Sequence, residues 1–96
     1  MEKAERLKML FESEFTSTSI QYTFESDLHK YHILGKPDHW LCVKSDFLDH
    51  VEPREVVFKV RDLGVIDLCK SDDTIRWVTV GEQGIEEVDG DSTAIH

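Results

Sequence analysis

The chain has 96 residues, of which 40% are hydrophobic, and its 20 acidic residues against 11 Lys and Arg give a formal net charge of −9. This length suits one domain, and the hydrophobic fraction is too high for a disordered polyelectrolyte and too low for a membrane protein. Because nucleic acids and anionic lipids are bound through basic surfaces, the charge argues against direct nucleic-acid binding and against docking on membranes. We expect residues 1–88 to form a single α+β domain and residues 89–96 to form a flexible acidic tail.

The ends of the chain and its cysteines indicate a compartment. The first ten residues mix charged and apolar side chains and lack the apolar stretch of a secretory signal. The longest uninterrupted apolar run, residues 40–43, is far shorter than a membrane span. We therefore expect a cytoplasmic protein, in which Cys42 and Cys69 pack as small hydrophobic residues and do not form a disulfide.

The N-terminal half predicts one helix, three strands and a second, short helix. Apolar residues recur at three- and four-residue spacing over residues 2–15, which is typical of a helix with one buried stripe. Apolar and polar residues then alternate over residues 20–25, 28–34 and 40–44, which predicts strands joined by short turns. Residues 45–51 predict a short helix that ends before Pro53.

The C-terminal half predicts further strands. Val56, Phe58 and Val60 alternate with Val57, Lys59 and Arg61, which indicates a strand over residues 56–61. Residues 62–64 predict a tight hairpin loop, and residues 65–69 predict the returning strand. Residues 74–80 predict another strand, and residues 85–88 predict a short edge strand. The expected fold is α+β, an N-terminal helix packed on an antiparallel sheet of five to seven strands with a short second helix.

Imidazole and thiol groups recur between residues 29 and 50, and both groups can bind zinc. The weak metal-ligand candidates are His29, His32, His39 and Cys42. Residues three apart on a strand point to opposite faces, and His39 follows His32 by only seven positions, so the spacing is poor for a tetrahedral site. We predict no metal, no cofactor and no catalytic residue. The alternative is a metal-binding or thiol enzyme that uses the stretch from His29 to His50.

Acidic residues concentrate in two segments, one after the third predicted strand and one at the C-terminal end. The last sixteen residues hold five acids and no base, which is more than half of the net charge. An acidic surface steers association with a basic protein surface, and an exposed Trp can serve as an interface contact. The predicted partner-binding residues are Asp46, Asp49, Glu52, Glu55, Glu86, Glu87, Asp89, Asp91 and Trp40.

No motif in the chain is specific enough to attach a family name. By composition, the small acidic α+β chain without a catalytic signature is similar in type to phage counter-defence proteins, DNA mimics and nuclease-immunity proteins. We therefore expect a non-enzymatic binding or inhibitory protein that docks on a basic surface of a protein partner. A second alternative is a structural domain that forms homodimers or larger oligomers through a sheet edge, with residues 85–88 as the candidate edge.

Overall fold

The computed structural model describes residues 2–16, 18–35 and 38–90. The elements in chain order are α1 Lys3–Glu14, β1 Ile20–Glu25, β2 Leu28–Ile33, β3 His39–Lys44, α2 Ser45–Asp49, α3 Val56–Leu63, α4 Val65–Ser71, β4 Ile75–Gly81 and β5 Gly84–Gly90. The predicted α+β class, the N-terminal helix, the short second helix after β3 and a five-stranded sheet are all confirmed. Within the described ranges, none of the helices combines the length and the apolar character needed to cross a membrane.

The sheet is mixed, whereas the sequence predicted an antiparallel one. Its strands lie in the order β1-β2-β3-β4-β5. All neighbours are antiparallel except β3 and β4, which run parallel with Trp40 opposite Trp77 and Val43 opposite Val80. Parallel neighbours require a crossover connection that returns the chain to the end where the first strand began. The three helices α2, α3 and α4 form this crossover.

Residues 56–69 form helices where the sequence predicted a β-hairpin, and that prediction is wrong. Val56 and Val60 are buried while Phe58 is 66% exposed, which is the pattern of one helical face and not of one strand face. Gly64 has φ +79, ends α3 and precedes α4, so the predicted hairpin loop is a break between two helices. The sequence prediction was wrong because Val56 and Val60 fit the two-residue period of a strand as well as the 3.6-residue period of a helix.

The helix α1 packs on β1 and β2 through the predicted stripe. Leu7, Leu10 and Phe11 are buried. The ring of Phe11 meets the ring of Tyr31 nearly edge-on, with 5.0 Å between the centroids. The Tyr31 hydroxyl donates a 2.7 Å hydrogen bond to the carbonyl oxygen of Ala4, so a polar contact joins the helix and the sheet inside the core.

The two faces of the sheet have different environments. On the helix face, strand side chains join one apolar cluster with residues from all four helices. The strand residues of that cluster are Ile20, Tyr31, Ile33, Leu41, Val43, Ile75, Val78 and Val80. We call the other side the open face, and strand alternation places on it Lys30, His32, Trp40, Cys42, Lys44, Trp77, Thr79 and Glu87.

The strand β5 lies at an edge of the sheet, as predicted for residues 85–88. It extends through Asp89 and Gly90, which the sequence placed in the tail, because both residues pair with β4. Asp91 and the rest of the predicted tail lie outside the described residues.

The helical assignment of residues 56–63 predicts unequal effects of two truncations. Val60→Ala should lower the free energy of unfolding by about 2 kcal/mol, because it leaves a cavity in the core. Phe58→Ala should change it by less than about 0.5 kcal/mol, because Phe58 is mostly exposed. Urea titration of both variants measures the difference. Equal large losses would instead indicate that both side chains share a buried face.

The hydrogen bond from Tyr31 to Ala4 predicts that removing the Tyr31 hydroxyl lowers the stability of the fold. Tyr31→Phe should lower the free energy of unfolding by about 1 kcal/mol, because it removes the hydrogen bond between the buried Tyr31 and the Ala4 carbonyl. Tyr22→Phe is the matched control, since the Tyr22 hydroxyl bonds to His29 near the surface. Denaturant unfolding that shows no difference between the two variants would contradict this role of Tyr31.

Candidate protein-binding surface

Acidic side chains from two distant segments meet at one end of the molecule. The strands β3 and β4 are parallel, so both finish at this end. The helix α2 follows β3 directly, and β4 turns here into β5. We call the exposed carboxylates of these segments the acidic end. They are Asp46, Asp49, Glu82, Glu86 and Glu87.

Lys44, the last residue of β3, links the two acidic segments. Its Nζ lies 2.6 Å from Oε1 of Glu86. The hydrogen bond to Glu86 and the negative charges of Glu86, Asp46 and Glu87 together raise the pKa of Lys44. One ammonium group therefore interacts with carboxylates of both α2 and β5.

His50 is the second side chain that joins these segments. Its Nδ1 lies 2.7 Å from the carbonyl oxygen of Asp46 and 3.5 Å from Oε1 of Glu82. The hydrogen bond to the Asp46 carbonyl and the charge of Glu82 raise the pKa of the imidazole, with smaller contributions from Asp46 and Asp49. The five carboxylates of the acidic end outnumber Lys44 and His50 together.

An irregularity in β5 brings two consecutive acids to the open face. Thr79 pairs with Glu87, but Val80 pairs with Ile85, so Glu86 is an extra residue in the ladder. Glu86 reaches Lys44, and Glu87 accepts a 3.3 Å hydrogen bond from the Thr79 hydroxyl. In a regular strand these neighbours would point to opposite faces.

Two hollows adjoin the acidic end. One, of about 410 Å³, lies on the open face between the β1–β2 turn and the start of α2. Its lining includes the carboxylates of Asp27, Asp46 and Glu87 and the ring of Trp77. The other, of about 510 Å³, lies between the helices and the β4–β5 turn, and Phe47, Val51, Leu63, His50 and Glu82 are among its lining residues. The acidic end thus offers concave surface as well as charge.

A row of stacked rings crosses the open face beside the first hollow. The rings of His32 and Trp40 are nearly parallel and stack with 4.0 Å between their centroids. The rings of Trp40 and Trp77 stack with 5.8 Å between their centroids. The indole Nε1 of Trp77 donates a 2.8 Å hydrogen bond to the Thr79 hydroxyl. Lys30 Nζ lies 5.9 Å from the Trp77 ring centroid. These contacts hold both tryptophans in place, and each indole stays partly exposed.

Asp38 holds the outer end of this row. His32 Nε2 lies 3.0 Å from Oδ2 of Asp38, and the Gly35 amide donates to Oδ1 at 2.9 Å. The Gly35 hydrogen bond, followed by that of His32, lowers the pKa of Asp38. The carboxylate therefore orients the imidazole that stacks on Trp40.

The other predicted partner-binding residues that the structure describes take no part in the interactions around Lys44 and His50. Glu52 and Glu55 are exposed between α2 and α3, and Glu52 lies 3.5 Å from Arg54. Asp89 is opposite Trp77, away from the β4–β5 turn. Trp40 lies in the row of rings on the open face. Asp91 falls outside the described residues.

The four weak metal-ligand candidates do not converge. Strand alternation puts His29 and His39 on the helix face and His32 and Cys42 on the open face. His39 is buried, and its Nδ1 lies 2.7 Å from the Ile75 carbonyl oxygen. Within residues 2–16, 18–35 and 38–90, there is no group of three or more His, Cys, Asp or Glu side chains that could hold a metal ion.

For a thiol enzyme using the stretch from His29 to His50, Cys42 is the candidate nucleophile, but the side chains of Cys42 and His39 point to opposite faces of β3, so His39 does not lie beside the thiol. Cys42 is 0% exposed, and burial raises the pKa of its thiol to about 12. A thiol with so high a pKa carries little thiolate, which is the nucleophilic form.

Glu82, Lys44, His50 and Trp77 belong to this surface and were not among the predicted partner-binding residues. Glu82 lies in a Gly-flanked turn, and its proximity to α2 depends on the parallel pairing of β3 and β4. Lys44 and Trp77 also join the surface through contacts between strands distant in sequence. Strand alternation predicts that Trp77 and Thr79 lie on the same face of β4, and this was the local sequence signal for the position of Trp77.

Comparison with known proteins identifies no relative. No protein-family model, curated protein or solved structure matches this chain.

The contacts of His50 predict a pH-dependent contribution to stability. Its pKa is raised in the folded protein, so its stabilisation is fully present below the pKa of an unfolded histidine, about 6.5, and is lost as the pH rises through the folded pKa. The loss of unfolding free energy in His50→Gln should therefore be largest at about pH 6 and smallest at about pH 8. Glu82→Gln should lower the His50 pKa measured by NMR titration. A His50 pKa at or below the ordinary value would contradict the assigned contacts.

Proposed function

We propose that this protein is a small non-enzymatic binding or inhibitory protein that docks on a basic surface of a protein partner through its acidic end. The observation that supports this proposal is the convergence of acids from α2 and the β4–β5 hairpin around Lys44 and His50. These segments are far apart in sequence and share one end of the molecule through the parallel β3–β4 pair.

Electrostatics supports rapid association at this end. Asp46, Asp49 and Glu82 are exposed, so their field reaches solvent and attracts a basic surface before contact. Such steering acts on the association rate and on specificity more than on affinity. Acids gathered at one end suit an immunity-type inhibitor that covers a basic patch, and they suit a DNA mimic with charge spread over its surface less well.

The open face supplies apolar contact beside the charge. Trp77 lines the hollow on the open face, and the ring of Trp40 stacks on the ring of Trp77. Partly exposed tryptophans held by hydrogen bonds and stacking lose little conformational entropy on binding, which is why aromatic residues often anchor interfaces. We place the centre of the contact at Trp77 and its rim at Asp46, Glu86 and Glu87.

The proposal includes a cytoplasmic location and no catalytic role for the two cysteines. Cys42 and Cys69 are free, buried thiols, as is usual for proteins in the reducing cytoplasm. Burial raises the pKa of Cys42 to about 12 and that of Cys69 to about 11, so neither thiol is poised for nucleophilic attack.

The experiment compares two triple variants that remove equal charge at different places. The first carries Asp46→Asn, Asp49→Asn and Glu82→Gln in the acidic end. The second carries Glu2→Gln, Glu5→Gln and Glu12→Gln, which are exposed acids of α1 and its N-cap. Wild-type protein immobilised on resin captures the partner from a lysate of the source cells, and mass spectrometry identifies it. The association rate of the purified partner is then measured with all three proteins.

We expect the acidic-end variant to associate about tenfold more slowly than the wild type, and the α1 variant to associate at close to the wild-type rate. Raising the salt concentration from about 50 mM to about 500 mM should slow wild-type association. Equal effects of both variants, or association that is insensitive to salt, would overturn the proposal.

A further inference from the structure

The two edges of the sheet differ in charge. The strand β5 carries Glu86, Glu87 and Asp89. Glu86 is paired with Lys44. Glu87 and Asp89 leave this strand acidic, which opposes pairing with another acidic chain.

The strand β1, with sequence IQYTFE, has Glu25 as its single charged residue. Glu25 is paired with Lys30, at 2.9 Å between Oε1 and Nζ. The strand β1 itself is therefore nearly neutral in a protein of net charge −9, and the charge of Glu2, at the N-cap of α1, also reaches Tyr22.

The backbone of β1 offers hydrogen-bonding groups to a further strand. The Leu34 amide donates a 2.9 Å hydrogen bond to the Ser19 carbonyl, which places Ser19 in a hydrogen-bonded pair of the β1–β2 ladder. Bonded and non-bonded positions alternate along an antiparallel ladder. The backbone N–H and C=O groups of Ile20, Tyr22 and Phe24 consequently point away from β2, toward the edge.

The side chains at this edge are apolar and exposed. Tyr22 is 39% exposed and Phe24 is 51% exposed, although both lie on the helix face, where the neighbouring Tyr31 is fully buried. A six-residue edge strand with outward backbone groups, exposed aromatic side chains and no proline or lysine lacks the usual protection against strand addition.

We propose that β1 pairs antiparallel with β1 of a second copy of this chain, so that two sheets join into one. Two copies, each of charge −9, repel, and the contact must form where the local charge is neutral. The neutral β1 edge meets this condition, whereas the acidic β5 edge does not. This assignment replaces residues 85–88, which the sequence favoured as the oligomer edge.

The outward groups of β1 are complementary to themselves. A two-fold axis perpendicular to the sheet at Tyr22 places Tyr22 opposite its own copy and Ile20 opposite Phe24. Outward backbone groups then meet outward groups, and helix-face side chains meet helix-face side chains. The acidic end of each copy remains available, because its carboxylates come from α2 and the β4–β5 hairpin on the far side of β3.

Sedimentation velocity on the full chain tests the dimer with a matched pair of variants. Wild-type protein at about 100 μM should sediment with twice the monomer mass, and higher salt should strengthen the dimer by screening the repulsion. Phe24→Lys should sediment as a monomer, because it puts a charge on the edge. Val88→Lys, an equivalent change on β5, should remain dimeric. Circular dichroism checks that both variants fold.

A cysteine cross-link tests the register without disturbing the edge charge. Residues opposite each other in a bonded antiparallel pair have Cα atoms about 5.5 Å apart, a separation that a disulfide spans. Tyr22→Cys should form a covalent dimer under mild oxidation, and Val88→Cys should not. The native cysteines are buried and should not interfere.

A wild-type chain that is monomeric at about 100 μM would overturn the proposal, even if another protein is found to add a strand at β1. A dimer that survives in folded Phe24→Lys, or that is lost in folded Val88→Lys, would overturn it as well. Neither result bears on the acidic end, whose association with its partner weakens with salt while the dimer strengthens.

Discussion

The parallel pairing of β3 and β4 is the constraint on which the rest of this structure depends. At its start, His39 and the carbonyl of Ile75, 36 residues apart, are joined by a hydrogen bond. Because both strands run the same way, the chain between them must travel back across the sheet, and it does so as three helices that cover one face. The same pairing ends both strands together, which brings α2 beside the β4–β5 turn.

Much of the fold could be predicted from local periodicity. The stripe of Leu7, Leu10 and Phe11 and the alternation along β1, β2 and β3 depend on neighbours close in sequence. Residues 56–69 could not be assigned in this way, since their apolar residues fit both a strand and a helix. The parallel β3–β4 pair requires a crossover over one face of the sheet, and in the helices that form it Val56 and Val60 face the core while Phe58 faces solvent.

The candidate surface was predictable in composition and not in arrangement. The acids of α2 and β5 stand out in the sequence as charge-rich segments. The two segments come together only through long-range strand pairing. The approach of Glu86 to Lys44 depends on an irregularity in the β5 ladder that the sequence pattern does not predict. Glu82 belongs to the same surface for the same reason, through its contact with His50. Contacts between exposed side chains are hard to predict from the sequence, because they follow no regular spacing of residues.

The long crossover also predicts an order of folding. The β1–β2 hairpin closes through Ser26 and Asp27, both in the left-handed region with φ +53 and +60, and hairpins of this kind form in about 1–10 μs. The β3–β4 pair must close a far longer loop, and its entropic cost delays it. The N-terminal helix and first three strands can therefore assemble before β4 docks. Because α2 and the β4–β5 turn meet only when β4 docks, the acidic end would then be a property of the fully folded chain and would be absent from its intermediates.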